Sequence, residues 1–115
     1  RHYLEMNGAN LFTFTIKRVP PLIEDALRLA GRTAAEIDGF VLHQSNRFMM
    51  GHLTKKFGIK EDRAPLTLGN FGNTGGPSVP LTLTNAFPHG PRERALRLML
   101  IGYGVGLSWG AAVVD

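Results

Sequence analysis

Apolar and polar residues alternate along Leu11–Lys17, where Phe12, Phe14 and Ile16 interleave with Thr13, Thr15 and Lys17; this period of two predicts a first strand. The period then lengthens. After Pro20-Pro21, residues Leu22, Ile23, Ala26, Leu27 and Ala30 recur at helical spacing, with Glu24 and Asp25 early, Arg28 later and Gly31 as a stop. Thr33 and Glu36 have the spacing of a capping box for one short turn. Asp38-Gly39 leads into a buried strand, Phe40-Val41-Leu42, and a second helix is expected from about Asn46 to Phe57, with Gly58 beyond it. "KEDRAP" (60–65) reads as an exposed connection and Leu66-Thr67-Leu68 as a short strand. A third helix is expected over about Pro77–Phe87, ended by "PHGP" at 88–91. Last come strands Ala95–Tyr103 and Leu107–Val114, whose consecutive apolar residues predict burial on both faces.

Charge is missing from two stretches. Between Gly69 and Pro88 no side chain is charged, and a helix that is apolar all round belongs in a protein interior. The groups at its N-terminus must then find partners inside the protein or on a ligand. Residues 98–114 are uncharged for seventeen positions, but their four glycines and turn-like centre argue for two buried strands rather than a membrane helix.

The 115 residues suffice for one domain, and 14 glycines exceed the ordinary share, so tight turns and close approaches matter. There is no cysteine, which excludes disulfides, Cys-ligated metal and a thiol nucleophile within the chain. The net charge of +4 suits an acidic protein partner or a phosphate-bearing molecule. No Lys/Arg run exceeds two residues and no nucleic-acid-binding motif stands out, which argues against nucleic acid. The chain opens on Arg1-His2-Tyr3 without a signal-peptide pattern and is expected to be a fragment of something longer.

Three polar sites could carry chemistry. His43 ends the strand "FVL" and begins "HQSN", where α/β proteins place working groups, although a histidine bonded to a neighbouring carbonyl fits as well. His2, His52 and His89 stand too far apart for metal-ligand spacing. Asn73, inside "GNFGNTGGPS" (69–78), can donate an amide N–H to an oxygen near a positive helix end; equally, Asn73 or Thr74 could cap that helix. Asn46 reads as the cap of the second helix. In "GYGVGLSWG" (102–110), alternate glycines leave backbone N–H groups accessible, but the loop joins two strands and opens no helix, so a dinucleotide fingerprint is excluded.

Taken in order, "HQSN", "GNFGNTGG" (69–76) and "GYGVGLSWG", with "MNG…FTF" at 6–14, resemble the C-terminal half of β-ketoacyl-acyl carrier protein synthase III. The resemblance covers nearly the whole chain. It implies an α/β, thiolase-like half: a mixed five-stranded sheet with helices packed on it, including one buried, uncharged helix. All of residues 1–115 would form the C-terminal domain of a longer chain, whose absent N-terminal half carries the nucleophilic cysteine. The implied chemistry is decarboxylative Claisen condensation of an acyl-CoA with malonyl-acyl carrier protein, with no permanently bound cofactor.

By the same resemblance His43 and Asn73 are catalytic, donating hydrogen bonds to the malonyl thioester oxygen as it gains charge. His43 would be neutral with its proton on Nε2, held by an adjacent backbone N–H on Nδ1. Gly104, Val105 and Gly106 would form the glycine loop, with a backbone N–H, that of Val105, on the acylation oxyanion. Val105 stands where the family usually has glycine, and "GNTGGP" departs from its usual small Ser/Ala residues; both point to an atypical acyl substrate. Asn46 and Tyr103 are expected to touch substrate. Arg47, Lys55 and Lys56 are candidates for docking acyl carrier protein, or an ordinary solvated face, and the family's basic residue falls at Phe48. The full-length protein is expected to be a cytoplasmic homodimer, without membrane or nucleic-acid partners. A thiolase-fold acyltransferase or head-to-head acyl condensing enzyme, and a non-enzymatic carrier-protein or coenzyme A binding module, are the alternatives.

Overall fold

The computed structural model describes residues 7–86, 96–104 and 106–115. A long helix comes first, α1 (Gly8–Ala30), then strand β1 (Gly39–Leu42) and helix α2 (Arg47–Lys56). Two further helices, α3 (Leu68–Phe71) and α4 (Ser78–Ala86), precede strands β2 (Leu98–Gly104) and β3 (Ser108–Val114). Single 3-10 turns, Ala34–Glu36 and Glu61–Arg63, fill the connections. The strands form a mixed sheet in the order β1-β2-β3, parallel between β1 and β2 and antiparallel between β2 and β3. Three strands, not the expected five, make this sheet among the described residues.

Two of the expected strands are not strands. Residues 11–17 lie within α1, because its buried positions Thr15, Val19 and Ile23 recur every four residues, and that stripe outweighs the alternation at 12, 14 and 16. Asn7 starts the helix, its side-chain oxygen accepting from the Asn10 N–H at 3.0 Å. Pro20 and Pro21 sit inside rather than at the start. The carbonyls deprived of donors belong to Ile16, half-buried, and Lys17, exposed. The Leu66–Leu68 segment is irregular and then helical, since its backbone is engaged by a side chain described below.

The core lies on one face of the sheet. Phe40 and Leu42 of β1 and Met99, Ile101 and Tyr103 of β2 meet Val19 and Ile23 of α1 and Met49, Met50 and Leu53 of α2. Helix α4 packs on β1 and β2, and Val79 lines a shallow cavity with Leu100 and Gly102. Burial of the uncharged helix is met along one side only: Ser78 and Thr82 are buried, whereas Pro80, Thr84 and Asn85 are exposed. Nor are the last strands buried on both faces. β2 alternates between buried and half-buried, and β3 is mostly exposed, because it is an edge strand paired with β2 alone among the described residues.

The connection 60–65 is less exposed than its charge implies. Arg63 donates to the carbonyls of Ala34 at 2.7 Å and of Ile37, and its guanidinium lies over the Phe40 ring at 5.8 Å. The helix end at 88–91, Phe87 and the strand start at Ala95 fall outside the described residues. Among the described residues no helix is long and apolar enough to cross a membrane.

Core burial sets the expected response to truncation. Phe40→Ala should cost about 3–5 kcal/mol in urea unfolding. Leu29→Ala, at a side chain 86% exposed, should stay within about 0.5 kcal/mol. Equal effects would show that the sheet face is not the core.

Candidate active site

The strand β1 delivers His43 to the edge of the core. Its backbone N–H extends the parallel ladder, donating to the Ile101 carbonyl at 2.8 Å, and the chain then turns toward α2. Asn46 caps that helix, its side-chain oxygen accepting from the Met49 N–H at 2.8 Å. In between, Gln44 is fully buried. Its amide nitrogen donates to the carbonyls of Leu42 at 2.9 Å and Pro65 at 3.3 Å, and its oxygen accepts from the Thr67 N–H at 2.9 Å. Thr67 in turn shares a 2.9 Å hydroxyl contact with Thr82 of α4. One side chain thereby fixes where the segment leading to Asn73 begins.

Asn73 follows α3 in a loop with positive φ on either side, +67° at Gly72 and +71° at Gly75, a conformation most side chains resist. The Asn73 oxygen accepts from the Gly75 N–H at 3.0 Å. That contact orients the carboxamide, and its nitrogen faces the Ser45 carbonyl at 3.4 Å. The capping reading therefore fails for Asn73. Its oxygen serves the loop, and α4 starts only at Ser78.

His43 and Asn73 come together although thirty positions separate them. Both line two adjoining cavities of about 240 and 350 Å³, which also share Leu11, Tyr103 and Gly104. The smaller adds Phe12, Thr15, Ser45, Asn46 and Met49; the larger adds Gly75, Gly76, Ser78, Val79 and Gly102. Neither lining contains a charged side chain among the described residues. Among the described residues no three His, Cys, Asp or Glu side chains cluster as metal ligands.

The imidazole is half-buried, and burial pushes its pKa below the usual 6.5. Its Nδ1 lies 2.6 Å from the Ser78 hydroxyl, not against a backbone N–H as expected from the sequence. The neighbouring N–H, that of Gln44, points to the same Ser78 oxygen at 3.4 Å. Tyr103 stands edge-on to His43, with ring centroids 5.1 Å apart, and its hydroxyl meets Ser45 Oγ at 2.7 Å. Burial raises the Tyr103 pKa, against an opposing effect of the Ser45 contact, so the phenol stays protonated.

The remaining candidates divide. Gly104 lines both cavities, Gly106 lines neither, and Val105 lies outside the described residues. Asn46 lines the smaller cavity with its oxygen committed to the cap. Arg47 lines a separate cavity with Met50, Thr54 and Glu61, and Lys55 and Lys56 are exposed on the last turn of α2. Next to Arg47 the exposed surface is aromatic instead: Phe48, 69% exposed, stacks on Phe12 of the smaller cavity's lining, with ring centroids 5.8 Å apart. Sequence reasoning assigned no role to Gln44, Thr67, Ser78 or Thr82. The available signal was a set of small polar residues beside a buried strand and at the start of an uncharged helix.

Comparison with known proteins adds an independent line. Residues 27–115 match the family described as 3-oxoacyl-[acyl-carrier-protein] synthase III, C terminal. The chain is 37% identical over 113 residues to a beta-ketoacyl-[acyl-carrier-protein] synthase III of Neisseria meningitidis, an alignment covering 98% of this chain and 35% of that protein. It is similar to the crystal structure of a 3-oxoacyl-(acyl-carrier protein) synthase from Burkholderia xenovorans, 40% identical with a TM-score of 0.88, over 95% of this chain and 31% of that one. It is also similar to Xanthomonas campestris OleA crystallised with bound lauric acid and lauroyl-CoA, 31% identical with a TM-score of 0.86, over 96% of this chain and 33% of that one. The chain thus spans about one third of the length of the relatives it matches, and its fold is their thiolase-like α/β fold.

The desolvated imidazole has a measurable consequence. Followed by NMR through an acid titration, His43 should remain neutral at pH 7 and protonate with a midpoint below 6.5. The unfolded chain takes up this proton first as pH falls, so stability is full above about 6.5 and is lost downward through the lower folded value. His43→Asn should remove that component of the acid loss. A midpoint at or above 6.5 would contradict a desolvated ring.

Proposed function

This chain belongs to the 3-oxoacyl-[acyl-carrier-protein] synthase III family through its C-terminal domain, and we propose that it supplies the enolate-stabilising half of a decarboxylating condensing enzyme. The observation that carries the reading is the shared cavity lined by His43 and Asn73. In the full-length protein, a cysteine on the N-terminal half would take an acyl group from an acyl-CoA. Malonyl-acyl carrier protein would then bind, lose carbon dioxide, and attack the acyl-enzyme as an enolate to give a β-ketoacyl thioester.

The roles follow from the chemistry of the two groups. As the carbon–carbon bond to the carboxylate breaks, its electron pair moves onto the thioester carbonyl, whose oxygen becomes negative. A carboxylate at position 73 would repel that oxygen, and an aliphatic side chain could not bond it. The amide nitrogen of Asn73 donates at any working pH, and its flip is fixed by Gly75. A neutral His43 donates through Nε2. In a lining without charged side chains each such donor is worth about 3 kcal/mol in the transition state. The likeness to OleA with lauroyl-CoA supports an acyl-CoA as one substrate.

In the full-length protein, Asn73→Ala should lower malonyl decarboxylation by about 100- to 1,000-fold while acylation of the cysteine by acyl-CoA continues. The first is followed by release of labelled carbon dioxide, the second by mass spectrometry of the intact protein. Undiminished decarboxylation would remove Asn73 from the reaction. Condensation that proceeds with a second acyl-CoA and without malonyl-acyl carrier protein would favour the head-to-head alternative.

A further inference from the structure

Ser78 is a buried polar residue at the start of an uncharged helix, 1% exposed, and it lines the larger of the two cavities together with His43. Its hydroxyl has two partners among the described residues, His43 Nδ1 at 2.6 Å and the Gln44 N–H at 3.4 Å. We infer that Ser78 is a positioning residue that sets the tautomer of His43, relaying the Gln44 backbone N–H through its own hydroxyl so that the imidazole proton resides on Nε2. This rests on the donor role assigned to His43 above.

The argument is one of donors and acceptors. The Gln44 N–H can only donate, so the Ser78 oxygen accepts there. The Ser78 hydroxyl hydrogen then needs an acceptor, and the described residues offer one, the lone pair of His43 Nδ1. With the proton on Nδ1 instead, two N–H groups would face the Ser78 oxygen and the hydrogen of this 1%-exposed residue would have no acceptor among the described residues, an arrangement buried polar groups avoid. The imidazolium form meets the same obstacle, in keeping with the direction in which burial moves the ring's titration. The Tyr103 ring packs at right angles to the imidazole, with centroids 5.1 Å apart, and adds a second restraint on the ring. A serine hydroxyl does here what a backbone N–H was expected to do, with one difference: a side chain can be exchanged.

The test uses the chain labelled with 15N-histidine, and long-range proton–nitrogen correlation at neutral pH to read each ring nitrogen as bearing or lacking hydrogen. The wild type should show His43 with a bare Nδ1 and a protonated Nε2. Ser78→Ala should shift His43 toward the other tautomer or a mixture of the two, and Ser78→Thr, which keeps the hydroxyl, should restore the wild-type pattern. Should the alanine variant fail to fold, Ser78→Cys keeps the volume with a weaker donor and should move the pattern in the same direction. A protonated Nδ1 in the wild type, or a pattern indifferent to every change at Ser78, would overturn the inference. In the full-length protein, Ser78→Ala should reduce decarboxylation roughly tenfold or more, with recovery in Ser78→Thr. Decarboxylation that survives His43→Ala would refute the proposed function and leave the tautomer result standing, so the two failures are separable.

Discussion

The carboxamide of Gln44 is fully buried, and its three hydrogen bonds all end on backbone: both N–H groups donate, to the Leu42 and Pro65 carbonyls, and the oxygen accepts from the Thr67 N–H. A buried amide is costly unless fully satisfied, and fully satisfied it allows one arrangement of the segments around it. That single constraint aligns the exit of β1 with the segment that precedes Asn73. Thr67 passes the restraint to Thr82, so α4 is tied to the same point. With β1 and α4 both fixed, Ser78 falls against the His43 ring. The placement of both His43 and Asn73 thus descends from one buried side chain.

Among the described residues no charged side chain lines the two cavities, and the proposed chemistry gives this a physical reason. A lysine or arginine in the lining would stabilise an enolate, but it would bind the substrate's carboxylate as well, and stabilising both states equally gains nothing in rate. On the function proposed above, neutral donors aimed at the oxygen that becomes charged would discriminate in favour of the later state. Desolvation serves the same end, strengthening each hydrogen bond to a developing anion while keeping His43 uncharged. The cations lie elsewhere, Lys55 and Lys56 on the exposed end of α2, where they face the negative pole of that helix.

Much of this was legible from residue order. α2 announced itself through Asn46 at its cap and Gly58 beyond its end, and β1 through three apolar residues followed by a polar turn. The convergence of His43 and Asn73 came from resemblance, not from periodicity, since nothing local links positions so far apart. Residues 11–17 misled because phenylalanines at 12 and 14 mimic a strand while the smaller Thr15 and Val19 take the buried stripe. A threonine can be buried there because its hydroxyl bonds back to the Leu11 carbonyl at 2.9 Å. The roles of Gln44 and Ser78 were illegible for a related reason. A polar side chain reads as surface until its partners are known, and apart from Leu42 their partners lie between 21 and 35 residues away.

His43 and Asn73 are not restrained alike. His43 sits at the end of a ladder, its backbone bonded to Ile101, its ring bracketed by Ser78 and Tyr103. Asn73 lies in an exposed loop, held by one good contact to Gly75 and one long contact to the Ser45 carbonyl. Ser45 itself is anchored by Tyr103, so this long contact ties the carboxamide to the same aromatic ring that braces the imidazole. The asymmetry means that a loosened loop costs the site its amide donor first, while the imidazole keeps its place. Preorganisation here is therefore only as good as the weaker restraint. Glycines at 72 and 75, which permit the turn, contribute no side chains to stiffen it, so the rigidity of the donor pair must come from the Gln44–Thr67–Thr82 chain beneath.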